Sequence, residues 1–241
     1  MKFVELEAEI VERIIETPSV ITLKCDTHNN FDYLPGHYIG IDLRSSLSDY
    51  QLIKAFSLAS SPTELPYIMI TFKKGESPFK KKLESLKVGD KIKIKGPYGN
   101  FLFQNNFSKT AIMIAGGIGI TPFRGMIKYV TDKKLPAKIK LLYSSKTQDE
   151  ITFHKELEEL KKINKNLEIK YTLTRDNNNG EWNGSMGRID EKIIIDNIKD
   201  IHNAIFYICG TPSMVENMIA ILKSIGIKEE NLRYEKFTGY K

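Results

Sequence analysis

The hydrophobic pattern of the chain changes character once, near residue 103, and that change constrains the fold more than any other feature. Before it, apolar and polar residues alternate in short segments at residues 4–15, 20–25, 38–43, 55–59, 67–72 and 91–95. Each is bounded by Gly, Pro, Ser or Asp, and the third follows the turn signal Pro35-Gly36. Side chains on a strand point alternately to two faces, so this spacing predicts strands with one buried face, and closely spaced short strands predict a closed antiparallel barrel. One helix interrupts them, with Ser77 as N-cap, Pro78 at the first helical position, Leu83 and Leu86 inward and Gly89 as its stop. After the change, continuous apolar runs at 110–115, 139–143, 167–173 and 204–209 alternate with helical patterns containing Met126, Ile127 and Val130, then at 151–162, 189–198 and 212–224. Fully buried strands alternating with helices predict a parallel α/β sheet. The expected architecture is therefore an α+β two-domain chain: a six-stranded antiparallel barrel over residues 1–104 and a parallel-sheet α/β domain over 105–241. The stretch 177–187, rich in Asn and Gly, is expected to be a loop.

Three constellations carry chemistry. In the first, the apolar run ending at Ala115 passes into Gly116-Gly117-Ile118-Gly119-Ile120-Thr121-Pro122. Glycines let a backbone approach a ligand, and a helix N-terminus offers unpaired N–H groups and partial positive charge to a phosphate. Tight strand-to-helix turns also use glycine for structure alone, and Pro122 stands where a G-x-G-x-x-G fingerprint has its third glycine. In the second, Phe206-Tyr207-Ile208-Cys209 ends a strand and Gly210-Thr211-Pro212-Ser213-Met214 opens a helix. Two such turns place two helix N-termini at the carboxyl edge of one parallel sheet, where open α/β sheets bind ligands. Cys209 reads either as a small buried hydrophobe or as a nucleophile, and no histidine is evidently placed to activate it. In the third, Lys54-Ala55-Phe56-Ser57 offers a cation and an aromatic on one strand face and a hydroxyl on the other.

These segments, in order with Gly75-Glu76-Ser77-Pro78-Phe79, Gly96-Pro97-Tyr98-Gly99-Asn100-Phe101 and Tyr234-Glu235-Lys236-Phe237, resemble the ferredoxin–NADP reductase superfamily, which includes cytochrome b5 reductases and oxygenase reductase components. The resemblance covers nearly the whole chain. It implies a flavin-binding barrel followed by a nicotinamide-binding domain, with FAD and either NADPH or NADH as cofactors. Lys54, Ala55, Phe56 and Ser57 stand at the family's R-x-Y-S motif: Lys54 is implied to meet a flavin phosphate as a point charge without arginine's bidentate fork, Phe56 to stack on the ring, and Ser57 to lie near its reactive N5. Thr71, Phe72 and Lys73 resemble the strand lining the flavin, and Ser77, Pro78 and Phe79 the helix start that binds the FAD pyrophosphate. Gly116, Gly117, Ile118, Gly119, Thr121 and Pro122 are implied to hold the nicotinamide nucleotide, with Cys209, Gly210, Thr211 and Met214 beside its ring. Ser57, Cys209 and Glu235 are the implied catalytic residues. Phe237 is implied to cover the flavin, a role for which Tyr240 competes. Ser144, Ser145 and Lys146, with Thr174 and Arg175, resemble the group that grips the 2′-phosphate of NADPH, and favour that nucleotide slightly.

The implied activity is an FAD-dependent NAD(P)H oxidoreductase passing electrons to a one-electron carrier such as a ferredoxin, flavodoxin or oxygenase component. The alternatives are an NAD(P)H:free-flavin reductase and a non-catalytic electron-transfer subunit. Cys25 and Cys209 form no C-x-x-C pair, so no zinc or cysteine-held iron–sulfur site is expected. Four scattered histidines show no metal spacing, and His37 falls at a strand start near the implied flavin region. The charge is +6 and the pI about 9.0. Lysines cluster at 73, 74 and 80–82 and again at 91, 93 and 95. Such clusters read as a solvated face, a docking surface for an acidic redox protein or, least of all, a nucleic-acid site. The longest apolar runs are far shorter than the roughly 20 residues of a membrane span, and no signal-peptide pattern opens the chain, so a cytoplasmic protein is expected.

Overall fold

The computed structural model describes residues 2–44, 52–175, 182 and 184–238. By its internal contacts the chain forms two compact units, residues 1–103 with 121–132, and residues 104–120 with 133–241.

In the first unit, strands β1 (Val4–Thr17), β2 (Val20–Asp26), β3 (Tyr38–Asp42), β4 (Ile53–Ser57), β5 (Tyr67–Lys73) and β6 (Lys91–Tyr98) form an antiparallel sheet in the order β4-β3-β6-β1-β2-β5. The two outermost strands meet: Leu58 bridges Ile70, and the Ala59 N–H donates to the Met69 carbonyl at 3.0 Å. The sheet thus curls on itself as a barrel. The alternation read from the sequence sorts its residues. Ile10, Ile21, Leu23, Ile39, Ile41, Ile68, Ile70, Phe72, Ile92 and Ile94 fill the core, each stabilising by about 1.5–3 kcal/mol when fully buried. Helix α1 (Pro78–Ser85) caps this core with Phe79 and Leu83. Ser77 is its N-cap, accepting the Lys80 N–H at 3.3 Å.

The outward residues of β1 and β6 form a charge ladder. Glu5, Glu7 and Glu9 stand directly opposite Lys95, Lys93 and Lys91, and Lys95 lies 3.0 Å from Glu5. The second lysine cluster is therefore matched by carboxylates within its own sheet, because opposite charges across a strand pair attract. It is a solvated ladder, not a bare basic surface.

Helix α2 (Thr121–Asp132) follows the first glycine turn in sequence, yet its contacts assign it to the barrel unit. A Cβ on Gly125 would stand 2.5 Å from the Ser60 carbonyl oxygen, so helix and barrel backbones touch there.

The second unit is a sheet of β7 (Thr110–Gly116), β8 (Ile139–Ser145), β9 (Leu167–Leu173), β10 (Ser185–Met186), β11 (Ala204–Gly210) and β12 (Leu232–Lys236), all parallel, in the order β10-β9-β8-β7-β11-β12. Helices α3 (His154–Ile163), α4 (Glu191–Asn197) and α5 (Pro212–Ser224) connect the strands. Ile112, Ile114, Phe206 and Ile208 pack with Ile194, Val215, Met218 and Leu222 in its core. From β7 the strand order runs one way to β10 and the other way to β12, so a topological switch lies between β7 and β11.

Several bounds differ from expectation. Helix α1 ends at Ser85, because Leu86 is extended (ψ 143°); Gly89 instead turns the chain at φ +91°. Helix α3 starts at His154, since Phe153 takes the left-handed φ of 61°. The stretch expected to be a loop contains the short strand β10, while 176–181 and 183 lie outside the described residues. Strand β12 was not anticipated: its Leu-Arg-Tyr-Glu-Lys sequence has the polarity of a sheet edge, which is where it lies.

Candidate cofactor-binding sites

The two glycine turns meet at the topological switch. Gly117–Ile120 forms a single 3-10 turn after β7, with Gly117 at φ +53°. Gly119 is pressed on the end of β11: a Cβ there would stand 2.2 Å from the Cys209 carbonyl oxygen and 2.8 Å from the Gly210 nitrogen. Only glycine permits that approach. Across the same junction, a Cβ on Gly210 would stand 3.5 Å from the Gly116 oxygen and 2.9 Å from Met214 Sδ. Met214 thus covers both turns, and a Cβ on Gly116 would also lie 3.4 Å from its sulfur. Thr211 caps α5, its hydroxyl accepting the Met214 N–H at 3.4 Å, and Pro212 occupies the first helical position. The result is a backbone-lined cradle with a capped helix start beside it, the form that suits a pyrophosphate.

Cys209 is fully buried, and burial, with the charge of Glu235 second, pushes its thiol well above the ordinary range. It stands opposite Glu235 in the β11–β12 register. A neutral, buried thiol is no nucleophile. Directly after β12, the Phe237 N–H donates to the Gly210 carbonyl at 2.9 Å, tying the C-terminal segment to the second turn. Tyr240 lies outside the described residues.

At the carboxyl ends of β8 and β9, the Thr174 N–H and hydroxyl both donate to the Ser145 carbonyl, at 3.0 and 3.2 Å, and the Arg175 N–H donates to the Lys146 carbonyl at 2.8 Å. Four residues singled out from the sequence are thereby brought together: Ser145 is buried and Thr174 half-buried, while Lys146 lies beside the exposed Arg175.

In the barrel, Lys54 and Phe56 pair with Ile41 and Ile39, while Ala55 and Ser57 pair with Gly40 and Tyr38 on the opposite face. Lys54 is exposed and Ser57 buried. Phe56 is half-buried and stacks on Phe79, with centroids 5.6 Å apart at 21°. The Leu58–Ile70 bridge places Ser57 beside Thr71 on the face away from the core; the Thr71 hydroxyl is hydrogen-bonded to that of Thr22 at 2.8 Å. Phe72 and Phe79 direct their rings into the barrel core. The Phe79 N–H falls in the first turn of α1, before intrahelical bonding begins. Lys73 follows Phe72 at the end of β5 and is half-buried.

His37 is buried, its Nδ1 accepting the Leu34 N–H at 2.9 Å, and desolvation lowers its pKa. The sequence reading passed over Arg124, a buried guanidinium on the inner face of α2. The available signal was a charged residue inside the apolar run Phe123-Arg124-Gly125-Met126-Ile127. No group of His, Cys, Asp and Glu suited to a metal occurs among the described residues.

Comparison with known proteins agrees with this geometry. The oxidoreductase FAD-binding domain family matches residues 7–103, and the oxidoreductase NAD-binding domain family matches residues 113–219. The chain belongs to the ferredoxin–NADP reductase superfamily. It is 28% identical over 208 residues to a flavohemoprotein of Bacillus subtilis, covering 86% of this chain and 52% of that one. Its fold matches a cytochrome P450 reductase of Amycolatopsis (TM-score 0.86, 16% identity, 99% of this chain and 71% of that one). It also matches the ferredoxin–NADP+ reductase of Plasmodium falciparum (TM-score 0.81, 23% identity, 97% and 96%). The chain spans about half the length of the curated relatives it matches. The two family matches give the chain an FAD-binding domain followed by an NAD-binding domain. No helix among the described residues is long and apolar enough to cross a membrane.

Proposed function

We propose that this chain moves electrons from NAD(P)H through FAD to a one-electron carrier, in the cytoplasm. The observation that carries this reading is the close approach of Gly119 to Cys209 and Gly210, which brings the two glycine turns and the capped start of α5 together at one sheet edge. When bound, a nicotinamide would supply hydride chemistry and a flavin the means to pass from two-electron to one-electron transfer. The chain's own groups bind and orient. The turn from Gly116 to Gly119 and the Thr211-capped start of α5 hold the pyrophosphate. Cys209, small and neutral, shapes the nicotinamide pocket without reacting, and Met214 closes its side. Glu235, on the neighbouring strand, lies where a carboxylate can hold a proton near that pocket. In the barrel, the start of α1 at Ser77, Pro78 and Phe79 faces the FAD pyrophosphate, Lys54 supplies charge to it, and the Ser57 hydroxyl is the hydrogen-bond partner of the ring. Phe237, tied by its N–H to the Gly210 carbonyl, borders the nicotinamide pocket.

The cluster of Ser145, Lys146, Thr174 and Arg175 favours NADPH, because arginine beside a hydroxyl recognises a phosphate monoester. The carrier is a ferredoxin, flavodoxin or oxygenase component. The exposed Lys54 favours a second reading, reduction of free flavin, since a lysine lacks the bidentate grip of arginine. Stopped-flow reduction of the FAD-loaded protein by NADH and by NADPH tests the first reading: rapid bleaching of the flavin, faster with NADPH, is expected. Bleaching by neither nucleotide would overturn it. Flavin that elutes from the protein on gel filtration would favour the second.

A further inference from the structure

A buried ion pair joins helix α2 to the barrel segment that follows Ser57. The Arg124 side chain is 4% exposed and that of Glu64 22%. Both guanidinium amino groups of Arg124 engage the Glu64 carboxylate: Nη1 meets Oε2 and Nη2 donates to Oε1 at 2.9 Å. Nη1 also donates to the Ala59 carbonyl at 3.2 Å. Oε2 of Glu64 accepts the Ser61 N–H at 2.7 Å, and the Ser61 hydroxyl accepts the Thr63 N–H at 3.1 Å, so the carboxylate belongs to a capping box as well. Between these two fixed points the Ser60 hydroxyl accepts the Met69 N–H at 3.0 Å and bonds the Tyr33 hydroxyl at 2.7 Å. Every residue from Ala59 to Ser61 is thus held by a polar contact from outside the segment, and Ser57 stands two residues before it.

A buried guanidinium is a poor device for stability alone, since desolvation offsets much of its attraction, and well-packed apolar residues do as well. What a bidentate fork adds is direction: it fixes a carboxylate and a carbonyl in one plane. We propose that Arg124 is a positioning residue for hydride transfer. Acting through the Ala59 carbonyl and Glu64, it sets the position of the Ser57 hydroxyl against the flavin. The inference rests on the proposed function, in which Ser57 partners the flavin ring.

The test compares limiting rates of flavin reduction and apparent nucleotide affinities in stopped flow, using FAD-loaded full chains. The double variant Arg124→Met with Glu64→Gln removes both charges together and leaves neither buried alone. Its limiting rate is expected to fall about tenfold, on the scale of a sub-ångström misplacement, with nucleotide affinity unchanged. Arg124→Lys keeps the charge, loses the fork, and is expected to fall more than twofold but less than the double variant; it decides the matter should the double variant not fold. A purely structural role would lower thermal stability and leave the limiting rate alone. Either folded variant reduced within twofold of the parent rate, including one that needs added FAD, overturns the inference. Failure of the parent itself to be reduced overturns the proposed function instead, and the inference with it.

Discussion

The replacement Gly119→Ala tests the cradle directly. The added Cβ would stand 2.2 Å from the Cys209 carbonyl oxygen and 2.6 Å from its carbon, both well short of the 3.4 Å at which ordinary contact begins. The obstacle is backbone on both sides, so no rotamer relieves it. The two turns must separate, at a cost of about 1–3 kcal/mol for an overpacked site. For a chain of this size that corresponds to a fall in Tm of roughly 2–12 °C. Separation also moves the N–H groups that hold the pyrophosphate, and loss of about 1.4 kcal/mol of binding raises the nucleotide Kd about tenfold. Gly116→Ala is the matched control: its Cβ meets only the flexible Met214 side chain, at 3.4 Å or more, so Tm should hold within about 2 °C. Differential scanning fluorimetry and titration with NADPH read both quantities. A Gly119→Ala protein with unchanged Tm and Kd would falsify the close-approach argument, as would equal losses of Tm in the two variants.

Three further outcomes follow from named groups. Arg175→Ala should weaken NADPH about ten- to a hundredfold, the loss of a hydrogen-bonded charge on a phosphate, and barely alter NADH; equal effects on the two nucleotides by titration would refute the phosphate role. Cys25, whose thiol burial pushes up to about 12, and Cys209, whose thiol burial also pushes well up, should resist a thiol reagent at pH 8 in the native protein and react on unfolding; rapid labelling of folded protein would contradict their burial. His37 is neutral in the fold, with a pKa below the 6.5 of the unfolded chain. The unfolded state therefore binds the extra proton first, so the stability from neutral His37 is intact above pH 6.5 and declines as pH falls toward its folded value. His37→Gln should flatten the stability profile below pH 6.5, measured by denaturant midpoints; an unaltered slope would show that other groups govern it.

The fold was legible where periodicity and burial agree. Ile92 and Ile94 alternate with lysines and line the core, and the bounds of β9 and α5 match their apolar patterns. Strand β12 escaped because an edge strand with Arg233, Glu235 and Lys236 buries too little to leave a pattern. The motifs located both glycine turns, but a sequence cannot distinguish a glycine needed for its φ, such as Gly117, from one needed for contact, such as Gly119. The aromatics Phe72 and Phe79 were nameable from sequence, whereas their direction into the barrel core depends on strand register for Phe72 and on the seating of α1 for Phe79. Likewise the lysines at 91, 93 and 95 read as a basic cluster until their antiparallel pairing with Glu5, Glu7 and Glu9 cancelled it. Arg124 stands out as a charge in an apolar run, but its role was hidden for a related reason, since its partners Ala59 and Glu64 lie about sixty residues earlier.

The allegiance of α2 bears on how the chain is made. The barrel unit is discontinuous, with its last helix encoded 18 residues beyond Phe103 and inside the sequence of the other unit. A nascent chain synthesised through Phe103 lacks the helix that covers Ala59 and Ser60 and neutralises Glu64. Synthesis at roughly 5–20 residues per second leaves it so for about 1–6 s before Asp132 is joined. Over that interval the unfinished barrel exposes apolar surface, and β7 and its glycine turn have already been translated before the barrel is complete. The usual order, in which an N-terminal domain finishes before its successor begins, is closed to this chain.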